Sequence, residues 1–124
     1  MRKICDLDIE KYRCISPDMT TREVILTGER IEHIKNHHPG HFEVIAPFLE
    51  AAVISPDYIL EDAPRTGLVL KAIEENGLRI QMVLRVHTAA DSPGFKNSIL
   101  SAWKISEARW NNYLRNKKIL YKSE

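Results

Sequence analysis

The stretch from Thr66 to His87 constrains the fold more than any other part of the sequence. It reads TGLVLKAIEENGLRIQMVLRVH, in which two apolar runs flank the dipeptide Asn76-Gly77. Asn-Gly between β-compatible runs is a strong signal for a two-residue hairpin turn, because both residues readily adopt positive φ angles. The second run alternates apolar and polar residues from Leu78 to Val86, so one face of this strand is expected to be buried. The pattern predicts an antiparallel ribbon with one side turned to solvent.

Helical patterns precede this ribbon, and another follows it. Thr27 is a suitable N-cap for a helix that ends at Pro39-Gly40, and a second helix, interrupted by Pro47, is expected over residues 41–54. A further strand is expected over residues 98–106, before a final helix capped by Ser106. With 124 residues the chain is long enough for one core. We predict a single α+β domain, residues 1–124, with N-terminal helices packed on a four-stranded antiparallel meander and with a C-terminal helix.

Four of the five histidines lie within ERIEHIKNHHPGHF, residues 29–42, at positions 33, 37, 38 and 41. His33 and His37 have the i, i+4 spacing of helical zinc ligands, but the glutamate of HExxH is missing and no third ligand stands at a familiar spacing. We therefore expect no metal and no other cofactor. Imidazole can also donate or accept a proton near neutral pH. Acid–base chemistry and simple capping of a helix end both remain open on this pattern alone.

Two imidazoles and a cation are sufficient to cleave RNA without a metal. One imidazole removes the proton of the ribose 2′-hydroxyl, the other protonates the departing 5′-oxygen, and the cation offsets charge on the phosphorane. Polar side chains of the ribbon are candidates to bind the phosphate, because neighbouring strands bring side chains close together. These candidates are Lys71, Arg85, His87 and Ser101. The alternative for Lys71 and Arg85 is an ordinary exposed strand residue, and the alternative for Ser101 is a strand hydroxyl bonded to a neighbour.

Trp103 follows Ser101 by two residues, so the two side chains share one face if this segment is a strand. An exposed indole could stack on a nucleobase, which contributes about 1–3 kcal/mol per base in proteins that bind single strands. Packing of Trp103 against the final helix is the alternative.

Two segments resemble the phage-type nucleases related to barnase, EndoU, colicin and RelE toxins. ERIEHIKNHHPG is similar to the HIxxRHP helix end of that group, and NSILSAWKISEARW is similar to its late strand, in which a small hydroxyl residue lies near an aromatic residue. The resemblance covers about residues 20–116, the expected core of the domain. His37 stands where the motif usually has Arg, and Ser101 where it usually has Thr.

The resemblance implies a metal-independent endoribonuclease that leaves a 2′,3′-cyclic phosphate and acts as a toxin or a phage-associated nuclease. The implied catalytic residues are His33, His38, Lys71 and Ser101, and the implied substrate-binding residue is Trp103. The strand pattern, rather than a family motif, adds Arg85 to the catalytic residues and His87 to the substrate-binding residues. His38 is assigned as the general base and His33 as the general acid, with the reverse assignment left open. The implied partners are an RNA substrate and an antitoxin or immunity protein.

A non-catalytic RNA- or protein-binding module of the same fold is the alternative function. No apolar run is long enough to span a bilayer and no export signal is apparent, so we expect no membrane partner and a cytoplasmic location. The nuclease hypothesis depends on one arrangement: imidazoles of the early helical segment must reach the same site as polar side chains of the later strands.

Overall fold

The computed structural model describes residues 2–123, and the strands of this part of the chain join in a single sheet. The strands are β1 (Arg2–Asp6), β2 (Glu23–Leu26), β3 (Tyr58–Glu61), β4 (Thr66–Ile73), β5 (Leu78–Arg85), β6 (Asn97–Lys104) and β7 (Ile119–Lys122). The helices are α1 (Ile9–Tyr12), α2 (Gly28–His37), α3 (His41–Ile45), α4 (Leu49–Ile54) and α5 (Glu107–Asn116), with a 3-10 turn at Ala46–Phe48 between α3 and α4. The strand order across the sheet is β1-β2-β6-β5-β4-β3-β7.

The predicted four-stranded antiparallel sheet under N-terminal helices is wrong. The α+β class holds, but the sheet has seven strands and is mixed, because β2 runs parallel to β6. Strands β3 to β6 do form an antiparallel meander, and β1, β2 and β7 extend it on both sides. Two of these added strands, β1 and β2, precede α2, so the chain does not begin with a layer of helices.

The hairpin between β4 and β5 forms where Asn76-Gly77 predicts it. Four residues rather than two connect the strands, since β4 ends at Ile73 and β5 begins at Leu78. The side chain of Asn76 accepts a hydrogen bond from the Leu78 amide at 3.0 Å, and Gly77 has a φ of 69°. Gly77 adopts this left-handed conformation without a steric penalty because it lacks a Cβ atom.

The two faces of the sheet differ in what covers them. On the inner face, Ile80, Met82 and Leu84 of β5 are fully buried in the main core together with residues of α2, α3 and α4. On the opposite face, α5 packs over a second cluster centred on Leu68 and Leu70 of β4. The alternation in residues 78–86 therefore predicts the buried face of β5 correctly.

The chain turns sharply after α2. Thr27 caps this helix by accepting a hydrogen bond from the Arg30 amide at 3.2 Å, and the helix ends at His37. His38 leaves the helical conformation, with φ −135° and ψ 70°, because the ring of Pro39 disfavours helical angles in the residue before it. Gly40 then takes a φ of 82° before α3 begins. The Pro-Gly stop signal thus ends the helix between His33 and His38.

Strand β6 has one partly uncovered edge. Its neighbour β2 pairs with it only at Asn97 and Ser98, so the rest of that edge has no strand partner within residues 2–123. Helices α2 and α3 pack against β6 instead. The turn between these helices therefore lies beside the end of β6. None of the helices in the described part of the chain combines the length and apolarity needed to cross a bilayer.

Candidate active site

The turn between α2 and α3 gathers four imidazoles, which we call the histidine corner: His33, His37, His38 and His41. The ring centroids of His33 and His37 lie 4.2 Å apart, one helical turn from each other. Those of His38 and His41 lie 5.5 Å apart across the Pro-Gly turn. Positive charge on His41, His37 or His33 lowers the pKa of His38.

His38 joins the histidine corner to the late strand. Its ring stacks on the indole of Trp103 with 4.2 Å between centroids and 12° between planes. Trp103 belongs to β6 and lies opposite Gln81 of β5. Because β6 has an uncovered edge at this point, the side chain of His38 can reach Trp103 from the helical layer. An early imidazole and the late aromatic residue therefore meet.

The pKa of His38 is lowered from its ordinary value. Partial burial is the largest cause, followed by the charges of His41, His37 and His33. Burial and neighbouring positive charge both disfavour the imidazolium form. His38 is consequently neutral at pH 7 and able to accept a proton.

His41 contacts the uncovered edge of β6. Its Nδ1 atom accepts a hydrogen bond from the backbone amide of Lys104 at 3.2 Å. An imidazole nitrogen that accepts a hydrogen bond carries no proton, so the proton of neutral His41 is on Nε2. Burial first, and the charge of Lys104 second, lower the pKa of His41. His41 thus presents one N–H group at the corner. The sequence predicted no site role for His41, because it occupies no motif position.

His37 and His33 form the outer half of the histidine corner. The Nδ1–H group of His37 donates to the backbone carbonyl of His33 at 3.0 Å. This bond leaves Nε2 of His37 without a protein partner in the described chain. Nε2 of His37 can therefore accept a hydrogen bond at the corner, and the two rings are tilted by 33° rather than stacked.

The opposite face of β5 and β6 carries the remaining groups near Trp103. We call it the outer face; its residues are Arg79, Gln81, Val83 and Arg85 of β5 and Ser98, Ser101 and Trp103 of β6. Gln81 accepts a hydrogen bond from the Tyr113 hydroxyl at 2.7 Å, which ties α5 to this face. Neither Gln81 nor Tyr113 was expected at the site, because an isolated Gln or Tyr carries no recognisable motif.

Ser101 lies on the outer face opposite Val83, and 8% of the residue is exposed. Its hydroxyl is the buried side-chain group of residues 2–123 that has no hydrogen-bond partner. Leaving a buried hydroxyl unpaired costs about 1–3 kcal/mol. Such a group in a folded protein calls for an explanation, and a ligand that supplies the missing partner is one.

Arg85 lies at the far end of the outer face, opposite Ser98, and is bound to Asp91. Its guanidinium contacts the carboxylate of Asp91 at 2.7 and 3.1 Å and also donates to the Val86 carbonyl. The Asp91 carboxylate accepts from Arg65 at 3.1 Å and from the Thr88 amide at 2.9 Å as well. Hydrogen bonds from Arg85, and then from Thr88, hold the pKa of Asp91 far below its ordinary range. This network fixes a loop.

His87 is buried in the same network. Its Nε2 atom lies 2.7 Å from the Ser92 carbonyl, and its Nδ1 atom is bound to the Thr20 hydroxyl. A carbonyl only accepts, so Nε2 carries the proton and Nδ1 accepts from Thr20. The backbone amide of His87 also donates to Asn97 at 2.7 Å. With both nitrogens bound to the protein, the ring anchors the loop rather than facing a ligand.

Lys71 lies on the inner face and not with the other candidates. It pairs with Ile80, a residue of the main core, so its side chain points to the face that carries α4. Its ammonium donates to the Ser55 carbonyl at 2.7 Å and lies 3.8 Å from the Asp57 carboxylate. The sheet therefore separates Lys71 from Trp103 and the outer face. The expected meeting of Lys71 with Ser101 does not occur.

Within residues 2–123, no three or more His, Cys, Asp or Glu side chains are arranged to hold a metal ion. The four imidazoles of the histidine corner lie in two contacting pairs, His33 with His37 and His38 with His41.

Comparison with protein families identifies this chain. Residues 6–122 match the family described as phage-Barnase-EndoU-ColicinE5/D-RelE like nuclease2. Comparison with curated proteins and with solved structures finds no match. Because the matched residues span nearly all of the sequence, the resemblance seen in the histidine and late-strand segments is confirmed. The chain belongs to the phage-Barnase-EndoU-ColicinE5/D-RelE like nuclease2 family.

Proposed function

We propose that this nuclease is a metal-independent endoribonuclease. It cleaves RNA by attack of a ribose 2′-hydroxyl on the adjacent phosphate and leaves a 2′,3′-cyclic phosphate. The observation that carries the proposal is the stack of His38 on Trp103, which joins four imidazoles to the strand that bears Ser101. A flat aromatic ring beside a neutral imidazole suits a single-stranded nucleic acid, whose bases stack on aromatic side chains.

In this mechanism His38 is the general base. Its lowered pKa keeps it neutral at pH 7, so it can take the proton of the 2′-hydroxyl. His33 is the general acid that protonates the departing 5′-oxygen. On an ideal helix, residues five positions apart would point in different directions. This restriction does not apply to His33 and His38, because α2 ends between them.

Three further groups stabilise the transition state. The Nε2–H of His41 donates a hydrogen bond to a phosphate oxygen, because its other nitrogen is fixed by Lys104. The hydroxyl of Ser101 supplies a second donor only if the side chains around it move, because its oxygen is buried in this structure. The ammonium of Lys104, whose charge is felt at His41, takes the place of Lys71 as the cation near the phosphate. Lys71 is not part of the proposed site, since it lies on the inner face.

The decisive experiment incubates the purified protein with single-stranded RNA in the presence of EDTA. We expect cleavage products that end in a 2′,3′-cyclic phosphate by mass spectrometry. A substrate with 2′-deoxyribose at the cleaved position should remain intact, because it lacks the nucleophile. His38→Ala should lower the cleavage rate about 10²–10⁴-fold, and Asn36→Ala, at an exposed position of α2, should retain the wild-type rate.

The alternative function, a binding module without catalysis, gives a different result. In that case the wild-type protein and His38→Ala would bind RNA equally, or would not bind it, and neither would release products. Cleavage that requires added Mg²⁺ or Zn²⁺ would contradict the metal-independent mechanism.

A toxin role follows from the same chemistry. An unrestrained ribonuclease harms the cell that makes it, so the proposal includes an antitoxin or immunity protein as partner. Induced expression in a bacterial host should stop growth for the wild type and not for His38→Ala at equal protein level. Equal growth of both strains would remove the toxin role and leave the RNA-cleavage assay to decide the activity.

A further inference from the structure

The final helix, α5, belongs to the basic end of the chain. Residues 101–124 contain six basic and two acidic residues, a net charge of +4, whereas the rest of the sequence sums to −3. Within α5 the exposed charged residues are Arg109, Arg115 and, at the start of the helix, Glu107. The exposed residues of α2, by contrast, mix carboxylates with cations along the helix. The solvent side of α5 beyond its first residue therefore carries positive charge alone.

The two arginines of α5 are available to a ligand. Both residues are exposed, and neither forms an ion pair with a carboxylate of residues 2–123. The arginines that do form such pairs are Arg13, Arg65, Arg79 and Arg85. The guanidinium of Arg109 lies 5.9 Å from the centroid of the Tyr113 ring, a contact that leaves its N–H groups open to solvent. Binding an anion here requires no existing ion pair to break.

Asparagines complete this surface. Asn112 and Asn116 follow Arg109 by three and seven residues, so all three share one face of the helix, and all are exposed. The side chain of Asn116 donates to the Asn112 carbonyl at 3.0 Å, and the Asn112 amide has no partner in the described chain. Arginine and asparagine are among the side chains that donate to phosphate and sugar oxygens of nucleic acids. We call Arg109, Asn112, Arg115 and Asn116 the α5 face.

A short series of contacts links the α5 face to the candidate active site. Trp103, on which His38 stacks, lies opposite Gln81 of β5. Gln81 accepts the hydroxyl of Tyr113 at 2.7 Å, and Arg109 lies over the Tyr113 ring. Arg109 is therefore on the side of α5 that is nearest to Trp103. A strand of RNA that leaves the histidine corner can pass directly onto this helix.

We infer that the α5 face binds the phosphate backbone of the RNA next to the bond at the histidine corner. This assignment rests on the proposed ribonuclease function for the identity of its ligand. The ten residues of α5 span about 15 Å, which is sufficient for Arg109 and Arg115 to contact different phosphates. Positive charge alone would also suit an acidic protein. Continuity with the candidate active site and the exposed asparagine amides favour RNA.

The test measures binding of a single-stranded 2′-O-methyl RNA of about 12 nucleotides, which has no free nucleophile, by fluorescence anisotropy. The double variant Arg109→Gln/Arg115→Gln should bind about five- to tenfold more weakly, because two exposed charge contacts are lost. The plot of log Kobs against log salt should become less steep by about 1.4, since each phosphate contact on a single strand contributes about 0.7. Arg109→Lys/Arg115→Lys should keep most of the wild-type slope, because the charge remains.

A charge-matched control lies at the β1–β2 end of the sheet. Arg13→Gln/Arg22→Gln also removes two positive charges, from a cavity wall that contains the carboxylates of Asp6, Asp8 and Glu10. Its affinity and salt slope should equal those of the wild type. Equal losses in the two glutamine double variants would mean that net charge alone attracts RNA, and would overturn the α5 face. Unchanged RNA binding in Arg109→Gln/Arg115→Gln would do the same. All variants should melt at the wild-type temperature, since the replaced side chains are exposed.

Two further results separate this surface from its alternatives. Poly-L-glutamate is the probe for an acidic protein partner. If the α5 double variant loses affinity for poly-L-glutamate and keeps its affinity for RNA, the face belongs to a protein and the RNA assignment fails. The binding assay does not depend on cleavage. A loss of RNA binding confined to the α5 double variant would therefore support the surface even if the wild type cleaves no RNA, a result that would overturn the nuclease proposal alone.

Discussion

The two ends of the outer face contain similar residue types in different states. Near one end the histidine corner has imidazole nitrogens that no protein group in the described chain occupies, and Trp103 joins it to the strand that bears the unpaired Ser101 hydroxyl. At the other end His87 and Arg85 are bound to Thr20, Ser92 and Asp91. The first end retains groups that can exchange protons with a substrate, and the second end has used most of its groups to fix a loop. A histidine or arginine therefore indicates a catalytic site only when its hydrogen-bonding capacity is not already occupied.

This difference also explains why perturbed pKa values point to different roles here. Burial and neighbouring cations lower the pKa of His38, which leaves it neutral and reactive. The low pKa of Asp91 has the opposite origin, since hydrogen bonds from Arg85 and Thr88 stabilise its charged form. The former shift prepares a base, whereas the latter belongs to a structural ion pair.

The largest effect is expected at the histidine corner. His38→Ala should lower kcat for RNA cleavage about 10²–10⁴-fold, the usual contribution of a general base. Its melting temperature should stay close to that of the wild type, because the ring is only partly buried. His87→Ala should show the converse pattern, a clear loss of thermal stability, since it removes a buried anchor of the loop. Equal losses of stability in both variants would contradict the division between a reactive end and a structural end.

A smaller loss of activity is expected at Trp103. Trp103→Ala removes the surface on which His38 stacks, and should lower kcat/KM about tenfold by freeing the ring to rotate and by removing a base contact. Trp103→Phe should keep most of the activity, because a flat ring remains. Steady-state kinetics on one RNA oligonucleotide distinguishes these outcomes. Wild-type activity in Trp103→Ala would show that the stack does not position the base.

The sequence predicted the residues of the candidate site better than it predicted the sheet that positions them. The late strand with Ser101 and Trp103 follows from its own pattern and from the family resemblance, and the end of α2 follows from Pro39 and Gly40. Strands β1 and β2 were missed because the N-terminal segment does not alternate cleanly. The parallel pairing of β2 with β6 involves two residue pairs far apart in the sequence. No local pattern encodes such a contact.

Lys71 shows the same limit at the level of one residue. Leu68, Val69 and Leu70 before it are all buried, since β4 is covered on both faces. An apolar run of this kind does not reveal which face a following lysine takes. Likewise, the partners that occupy Arg85 and His87 come from loops and from residue 20, which sequence spacing does not connect to them. The sequence shows which residue types stand at these positions, but it does not show whether their hydrogen-bonding groups are already paired within the protein.

At the structural end, Asp91→Asn is expected to reduce stability moderately. Its carboxylate has a depressed pKa in the folded state, so its contribution is present above the ordinary value of 3.8 and is lost as the pH falls below it. The variant should melt several degrees below the wild type at pH 7, and the gap should narrow as the solution is made strongly acidic. Asp62→Asn is a suitable control, because its ion pair with Lys117 at 3.9 Å is partly exposed and contributes little. Identical melting curves for Asp91→Asn and the wild type at pH 7 would show that this network does not hold the loop.

The smallest expected effect is the position of the acidic limb of the pH–rate profile. A general base must be neutral, and the pKa of His38 lies below the ordinary value of 6.5. In the profile of kcat/KM, the rate should therefore persist through pH 6.5 and decline only at lower pH. In Trp103→Ala the ring becomes more exposed, which raises its pKa, so the remaining activity should decline at higher pH than in the wild type. A wild-type limb centred above 6.5, or a limb that does not move in Trp103→Ala, would mean that another group is the base. It would also mean that contact with the late strand is not what distinguishes His38 from the other imidazoles of the corner.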